Sequence, residues 1–208
     1  MHPNPAFRPK QDDIAALLVR EIGFAAIFLT TPDGPRVAHA PVLLADDDRT
    51  LRFHLARGNA LTKHLDGAAP LAVVQGPDAY VSPGDYGDTA QVPTWNYITV
   101  EMEGRARQTS RDSLITLLDD VSAAHEQRIS ADPAWTRAKM DPAQFSRMVD
   151  AIVGFEIGVT AWRPTLKLSQ NKPAVMAAKV QHALAARGHS ALAQLMQHLA
   201  SGEKPHES

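Results

Sequence analysis

The chain has 208 residues, 44% of them hydrophobic and 21% charged, with 21 Lys plus Arg, 23 Asp plus Glu, nine His and no Cys. The apolar fraction supplies a core and excludes wholesale disorder, while the missing thiols exclude a disulfide framework, a thiolate metal site and a cysteine nucleophile. A formal net charge of −2 excludes a generally basic surface that would hold polyanions, leaving only local patches for phosphates.

The opening Met1-His2-Pro3-Asn4-Pro5 has no basic segment followed by an apolar run, so no secretory leader is expected. Nowhere do about 18 apolar residues run together, so no membrane partner is expected and the default location is cytoplasmic. Prolines 3, 5 and 9 predict an extended lead-in. Asp12 and Asp13 offer N-caps to a helix with Ile14, Leu17, Leu18 and Ile22 at helical spacing, ended by Gly23. Residues 24–31 and 37–45 are strand-like and flank the turn cluster Pro32-Asp33-Gly34-Pro35, which predicts a hairpin. A polar turn at 46–49 leads to a third strand, 51–56, with Leu51, Phe53 and Leu55 on one face and Arg52 and His54 on the other.

A short helix is expected over 60–65, a strand over 71–82 and a Gly-, Asp- and Pro-rich loop over 83–93. Residues 95–106 alternate, with Ile98, Val100 and Met102 opposite Thr99, Glu101 and Glu103, as in a strand with one wet side. Ser110 then caps a helix whose stripe is Leu114, Leu117, Leu118 and Val121, and Asp141-Pro142-Ala143-Gln144 opens another. A last strand is expected over 152–161, followed by an alanine-rich tail that breaks at Gly188 and restarts with a cap at Ser190. Short turns between strands imply an antiparallel meander. The fold class is mainly β with helices (α+β), about six antiparallel strands closing a small barrel, with a domain at 1–173 and a helical extension at 174–208 on the barrel or a partner subunit.

No dinucleotide fingerprint, phosphate-binding P-loop, zinc-protease helix motif or serine elbow is present. Three clusters stand out instead. The first joins His39-Ala40-Pro41 with His54, Arg57-Gly58-Asn59 and Lys63: two cations, a glycine that permits close approach and a nearby helix start suit a phosphate, although a solvated hairpin exit reads equally well. The second is 75–83 with 92–97, where Gln75, Trp95, Asn96 and Tyr97 among prolines form either a slot for a planar ligand or ordinary core aromatics. The third is 166–172, a polar run containing Lys167, Ser169, Gln170 and Asn171, which reads as a loop that uses its side chains or as a cap at Asn171 for a helix starting at 172 or 173.

In order and spacing the segments HAP (39–41), ARGN (56–59), QGPDAYVSP (75–83), VPTWNY (92–97), VGFEI (153–157) and KLSQNK (167–172) resemble the FMN-binding negative transcriptional regulators of the PaiB type. The resemblance runs from Phe7 to the helix after Lys172. It implies a split β-barrel of the flavin-reductase and pyridoxamine-phosphate-oxidase kind, a homodimer with FMN in clefts between subunits. By position, His39, Pro41, His54, Arg57, Asn59 and Lys63 would lie near the phosphate and ribityl chain. Gln75, Trp95 and Asn96 would approach the isoalloxazine, and Lys167, Ser169, Gln170 and Asn171 would close the cleft.

The same resemblance implies repression of genes for degradative enzymes and sporulation, with DNA as a partner that the charge balance supports weakly. The only candidate DNA-reading element is the tail, where Lys172, Lys179, Arg187 and His182 or His189 offer a weakly basic face. An FMN-dependent oxidoreductase is the alternative, because a bound flavin supplies the redox chemistry without a side-chain nucleophile. A haem-binding variant would use His39, His54, His182, His189 or His198 as axial ligand. A cofactor-free dimeric scaffold is the third reading; no metal ligands are expected.

Overall fold

The computed structural model describes residues 3–9, 13–88, 90–130 and 132–201. Six strands form the sheet: β1 (Phe24–Thr31), β2 (Gly34–Leu44), β3 (Thr50–Ala56), β4 (Leu71–Val81), β5 (Thr94–Gln108) and β6 (Ile152–Lys167). Their order, β1-β2-β3-β6-β5-β4, closes as a barrel. Among the described residues seven α-helices accompany them: α1 (Asp13–Ile22), α2 (Thr62–Leu65), α3 (Pro83–Tyr86), α4 (Arg111–Arg128), α5 (Pro142–Asp150), α6 (Ala174–Ala186) and α7 (Ser190–Ser201). The described residues fall into two compact units, one from 1–15, 75–100 and 163–208, the other from 16–74 and 101–162.

In the second unit Gly23 takes φ +60° directly after α1, and its N–H donates to the Val19 carbonyl at 2.9 Å, closing the helix in the left-handed cap that favours glycine. The hairpin turns at Pro32 and Asp33, with Thr31 opposite Gly34 and the Thr31 hydroxyl donating to the Gly34 carbonyl at 2.9 Å. Strict alternation then buries Leu51, Phe53 and Leu55. Phe53 pairs in register with Phe155 of β6, and their rings stack at 5.7 Å. Each of these two fully buried rings contributes about 1.5–3 kcal/mol of burial free energy. Ser110 caps α4 through the Ser113 N–H, and Asp141 caps α5 by accepting from the Gln144 N–H at 2.8 Å.

In the first unit Val180, Leu184, Leu192 and Met196 of the tail helices are buried, with Ile98 and Val100 of β5 and Tyr86 of α3. Gly188 at φ +89° makes the expected break between α6 and α7.

Several expectations change. The lead-in holds a 3-10 turn at Pro5–Phe7, capped by the Asn4 side chain, because Phe7 turns inward and is buried. Helix α2 starts at Thr62 rather than 60, since the 56–61 segment is used in turns whose N–H groups return to Ala56 and Asn59. The loop expected over 83–93 contains α3, started by a capping box in which Ser82 and Asp85 exchange bonds and Pro83 occupies the first turn. Strand β6 continues to Lys167, six residues past its expected end, so Lys167 is a strand residue. Asn171 does not cap: α6 starts at Ala174 after Pro173. Ser190 is the first residue of α7 rather than its cap. The expected cap Asp12 and the last residues of the tail, 202–208, lie outside the described residues.

Candidate functional site

The residues expected around a phosphate lie in the second unit. On β2 the exposed His39 ring stacks on Phe24 with centroids 6.4 Å apart, and Pro41 pairs in register with Phe24. His54 of β3 alternates with the core residues and shares the face of Arg52, whose Nη2 meets Asp120 of α4 at 3.0 Å. Burial pushes the His54 pKa down, so the ring is neutral at pH 7, and its Nδ1 has no hydrogen-bond partner among the described residues. Arg57 follows β3; its Nε donates to the Asp150 carbonyl at 2.9 Å and its Nη2 to the Ile152 carbonyl at 3.3 Å. The Asn59 side chain accepts from the Leu61 N–H at 2.9 Å and so shapes the turn into α2. Lys63 is exposed. A Cβ built at Gly58 would touch nothing within 4 Å, so backbone and ligand can approach there. An exposed ammonium, the remaining guanidinium donors, an orphaned buried imidazole nitrogen and an open glycine are a donor set that fits an anionic group such as a phosphate.

The other expected residues lie in the first unit. Gln75 is exposed and its amide donates to Asp78 at 3.1 Å. Trp95 is 53% exposed and meets Tyr80, 46% exposed, edge-to-face at 6.1 Å, an aromatic surface of the kind on which planar rings stack. Asn96 and Ser169 are both buried and bond each other twice, with Tyr86 Oη 3.4 Å from the Ser169 hydroxyl. The Gln170 side chain is spent within its own loop, accepting from the Leu168 N–H at 2.7 Å and donating to the Leu166 carbonyl.

Lys167 donates to the Thr94 hydroxyl, and Lys172 donates to Gln91 Oε1 at 2.7 Å while its ammonium stands 5.6 Å from the Tyr86 ring centre. Burial lowers the Lys167 pKa. Lys167, Lys172 and Asn171 line a cavity of about 230 Å³ together with Thr94, Asn96 and Ser169. The expected residues therefore divide, six in one unit and seven in the other.

Residues 1–161 match the family described as "Putative FMN-binding domain". The chain belongs to this FMN-binding family. A relative is the "Protease synthase and sporulation protein PAI 2" of Bacillus subtilis (strain 168), 31% identical over 157 residues, 74% of each chain. The FMN-binding family fold recurs in solved structures at low identity. The FAD and haem binding protein of Mycobacterium smegmatis aligns over 77% of this chain and 73% of its own, with TM-score 0.58 and 16% identity. The flavocytochrome Anf3 of Azotobacter vinelandii aligns over 80% and 72%, also at 0.58, with 13% identity. A conserved hypothetical protein of Mycobacterium tuberculosis aligns over 83% and 94%, at 0.58 and 15% identity. These show a common split-barrel fold.

Tyr86, Gln91, Thr94 and Lys172 were not among the expected site residues, yet they line the cavity. Two had a signal in the sequence, since Thr94 and Lys172 stand inside the VPTWNY and KLSQNK segments. Tyr86 followed a readable helix start, Ser82-Pro83 with Asp85 at the third helical position. Among the described residues no group of three or more His, Cys, Asp or Glu side chains is arranged to hold a metal ion, and no helix is long and apolar enough to cross a membrane.

Proposed function

We propose that this chain is an FMN-binding, cytoplasmic, homodimeric regulator of the PaiB type that represses transcription. The observation that carries the reading is the 31% identity, over 74% of both chains, to a protein named for protease synthesis and sporulation, joined to membership of the FMN-binding family. The flavin half has chemical support. Lys63, the remaining Arg57 donors, the His54 Nδ1 and the open Gly58 suit the phosphate end of FMN; in the other unit Trp95 and Tyr80 present aromatic surface of the kind on which planar rings stack. Bound FMN supplies hydride or electron transfer; the protein's part is to hold and orient it. Self-association is supported by the outer face of the β1–β2 hairpin, where Phe24, Phe28 and Val37 are each more than 40% exposed and Phe28 stands opposite Val37.

The flavin-dependent oxidoreductase without direct DNA binding is favoured by a different observation. Among the tail's cations Arg187 grips Asp85 through two bonds and Lys172 donates one bond to Gln91. Helix α7, SALAQLMQHLAS, carries no Lys or Arg at all. A repressor built this way acts on transcription through a partner rather than by reading DNA with its tail.

The absorption spectrum of the purified protein, with mass identification of the released cofactor, tests the reading. Paired flavin bands and FMN are expected; a Soret band would indicate haem, and a colourless protein that ignores added FMN would remove the cofactor. Binding to its own upstream DNA should exceed binding to random DNA at physiological salt if the repressor acts directly; equal affinity lost steeply with salt leaves the partner-mediated or enzymatic reading.

A further inference from the structure

The cavity of the first unit has a chemistry that its neighbours do not consume. Two ammonium groups line it, those of Lys167 and Lys172, and among the described residues no carboxylate does. Each ammonium spends one donor on a neutral acceptor, the Thr94 hydroxyl and the Gln91 amide oxygen. Since an ammonium has three N–H donors, donors remain on both. The nearby carboxylate, Asp88, does not line the cavity: its oxygens accept from the Ala90 N–H and the Gln91 amide, both at 2.9 Å, and it offsets only part of the Lys172 charge. The lining thus carries positive charge in a partly desolvated site, where an arriving anion interacts more strongly than on an open surface.

The rest of the lining narrows the ligand. Asn171 and the Asn96–Ser169 pair add neutral polar groups, while Phe7 and Val92 add an apolar wall. A bare inorganic oxyanion would leave that wall unmatched, whereas a short carbon chain would cover it. A cavity of about 230 Å³ falls below the roughly 300–1,000 Å³ of pockets that enclose drug-sized ligands, which suits a compact molecule. Ser169 adds an independent sign of specialisation: it is a buried non-glycine residue at φ +63°, a conformation that persists where surrounding bonds enforce it and that concentrates at ligand-binding sites.

We propose that this cavity is the binding site of a compact organic dicarboxylate, held by Lys167 and Lys172. Its role as substrate or effector of the flavoprotein rests on the FMN reading; its binding does not. Lys172 is the more telling residue, because it stands outside the set assigned to FMN.

The test is isothermal titration of the full chain, with and without FMN, using succinate, its neutral diamide and inorganic phosphate as probes. Succinate is expected to bind at millimolar concentration or tighter, the diamide at least tenfold more weakly, and phosphate more weakly than succinate. Lys172→Met should weaken succinate at least tenfold in protein whose thermal melt remains cooperative, with Lys172→Arg restoring part of the affinity. Absence of succinate binding, equal affinity for the diamide, or an unchanged affinity in Lys172→Met would overturn the proposal. Phosphate binding as tight as succinate would overturn the dicarboxylate assignment. Succinate binding in a protein that ignores FMN would uphold this site while refuting the flavin reading.

Discussion

Asn96 and Ser169, 73 residues apart in sequence, exchange two hydrogen bonds: the Asn96 amide donates to the Ser169 hydroxyl at 3.0 Å, and that hydroxyl donates back to the Asn96 carbonyl at 3.2 Å. Both residues are buried, at 1% and 3% exposure, so their polar atoms rely chiefly on each other, with Tyr86 Oη 3.4 Å from the hydroxyl and Met196 Sδ 3.7 Å from the Asn96 amide nitrogen. The pair ties the start of β5 to the loop after β6 and fixes one wall of the cavity. Ser169→Ala and Asn96→Leu should each cost about 1–3 kcal/mol, the penalty of stranding a buried polar group. Ser169→Gly loses the same hydroxyl but relaxes the positive φ, so it should cost less than Ser169→Ala; urea unfolding of the three variants checks the order.

Two glycines facing each other in the second unit make opposite demands. A Cβ on Gly104 would fall 1.9 Å from the Gly158 carbonyl oxygen, whereas a Cβ on Gly158 would meet nothing within 4 Å. Gly104→Ala therefore forces β5 and β6 apart and should cost at least about 3 kcal/mol or abolish folding. Gly158→Ala should stay within about 0.5 kcal/mol of the parent. Comparable melting temperatures for the two variants would show that this close approach is wrong.

Asp85 and Arg187 hold α3 to the α6–α7 junction. The guanidinium donates from Nη1 at 3.0 Å and from Nη2 at 2.8 Å to the two carboxylate oxygens, and the Ser82 N–H adds a bond at 2.9 Å. Burial alone would raise the Asp85 pKa; the Arg187 and Ser82 hydrogen bonds, with the Arg187 charge, outweigh it and hold the carboxyl below its ordinary value. A depressed native pKa gives stability that is complete above the unfolded value, about 3.9, and is lost as pH falls through the native value. Arg187→Met should lower stability at pH 7 by about 1 kcal/mol, and the gap between variant and parent should close on acidification below about pH 4. A gap that is constant from pH 7 to pH 3 would locate the effect in packing rather than charge.

The phosphate assignment makes a separable claim about affinity. Lys63→Ala and Arg57→Ala should each weaken FMN more than tenfold, about 1.4 kcal/mol or more. Arg57 also fastens the β3 exit to the Asp150 and Ile152 carbonyls, so its variant should lose stability as well, while the exposed Lys63 should lose affinity alone. Fluorescence titration beside a thermal melt separates the two effects.

Much of the barrel was legible because its strands alternate. Leu51, Phe53 and Leu55, and then Ile98, Val100 and Met102, announce their inward faces, and all six are buried. The caps at Ser110 and Asp141 and the break at Gly188 follow from side-chain and backbone chemistry that acts locally. What was hidden is of another kind. The strand expected over 152–161 runs on through Pro164 to Lys167. Helix α3 is four residues long and has no period to detect. The cavity draws on Phe7, Tyr86, Gln91 and Lys172, which no local pattern connects.

The central claim is that the chain binds FMN as a family member should, and an equilibrium titration of FMN into the purified, cofactor-stripped chain tests it most directly. One FMN per chain with saturable quenching of flavin fluorescence, weakened more than tenfold in Lys63→Ala, is the predicted result. An unquenched flavin that remains dialysable at every protein concentration would contradict it.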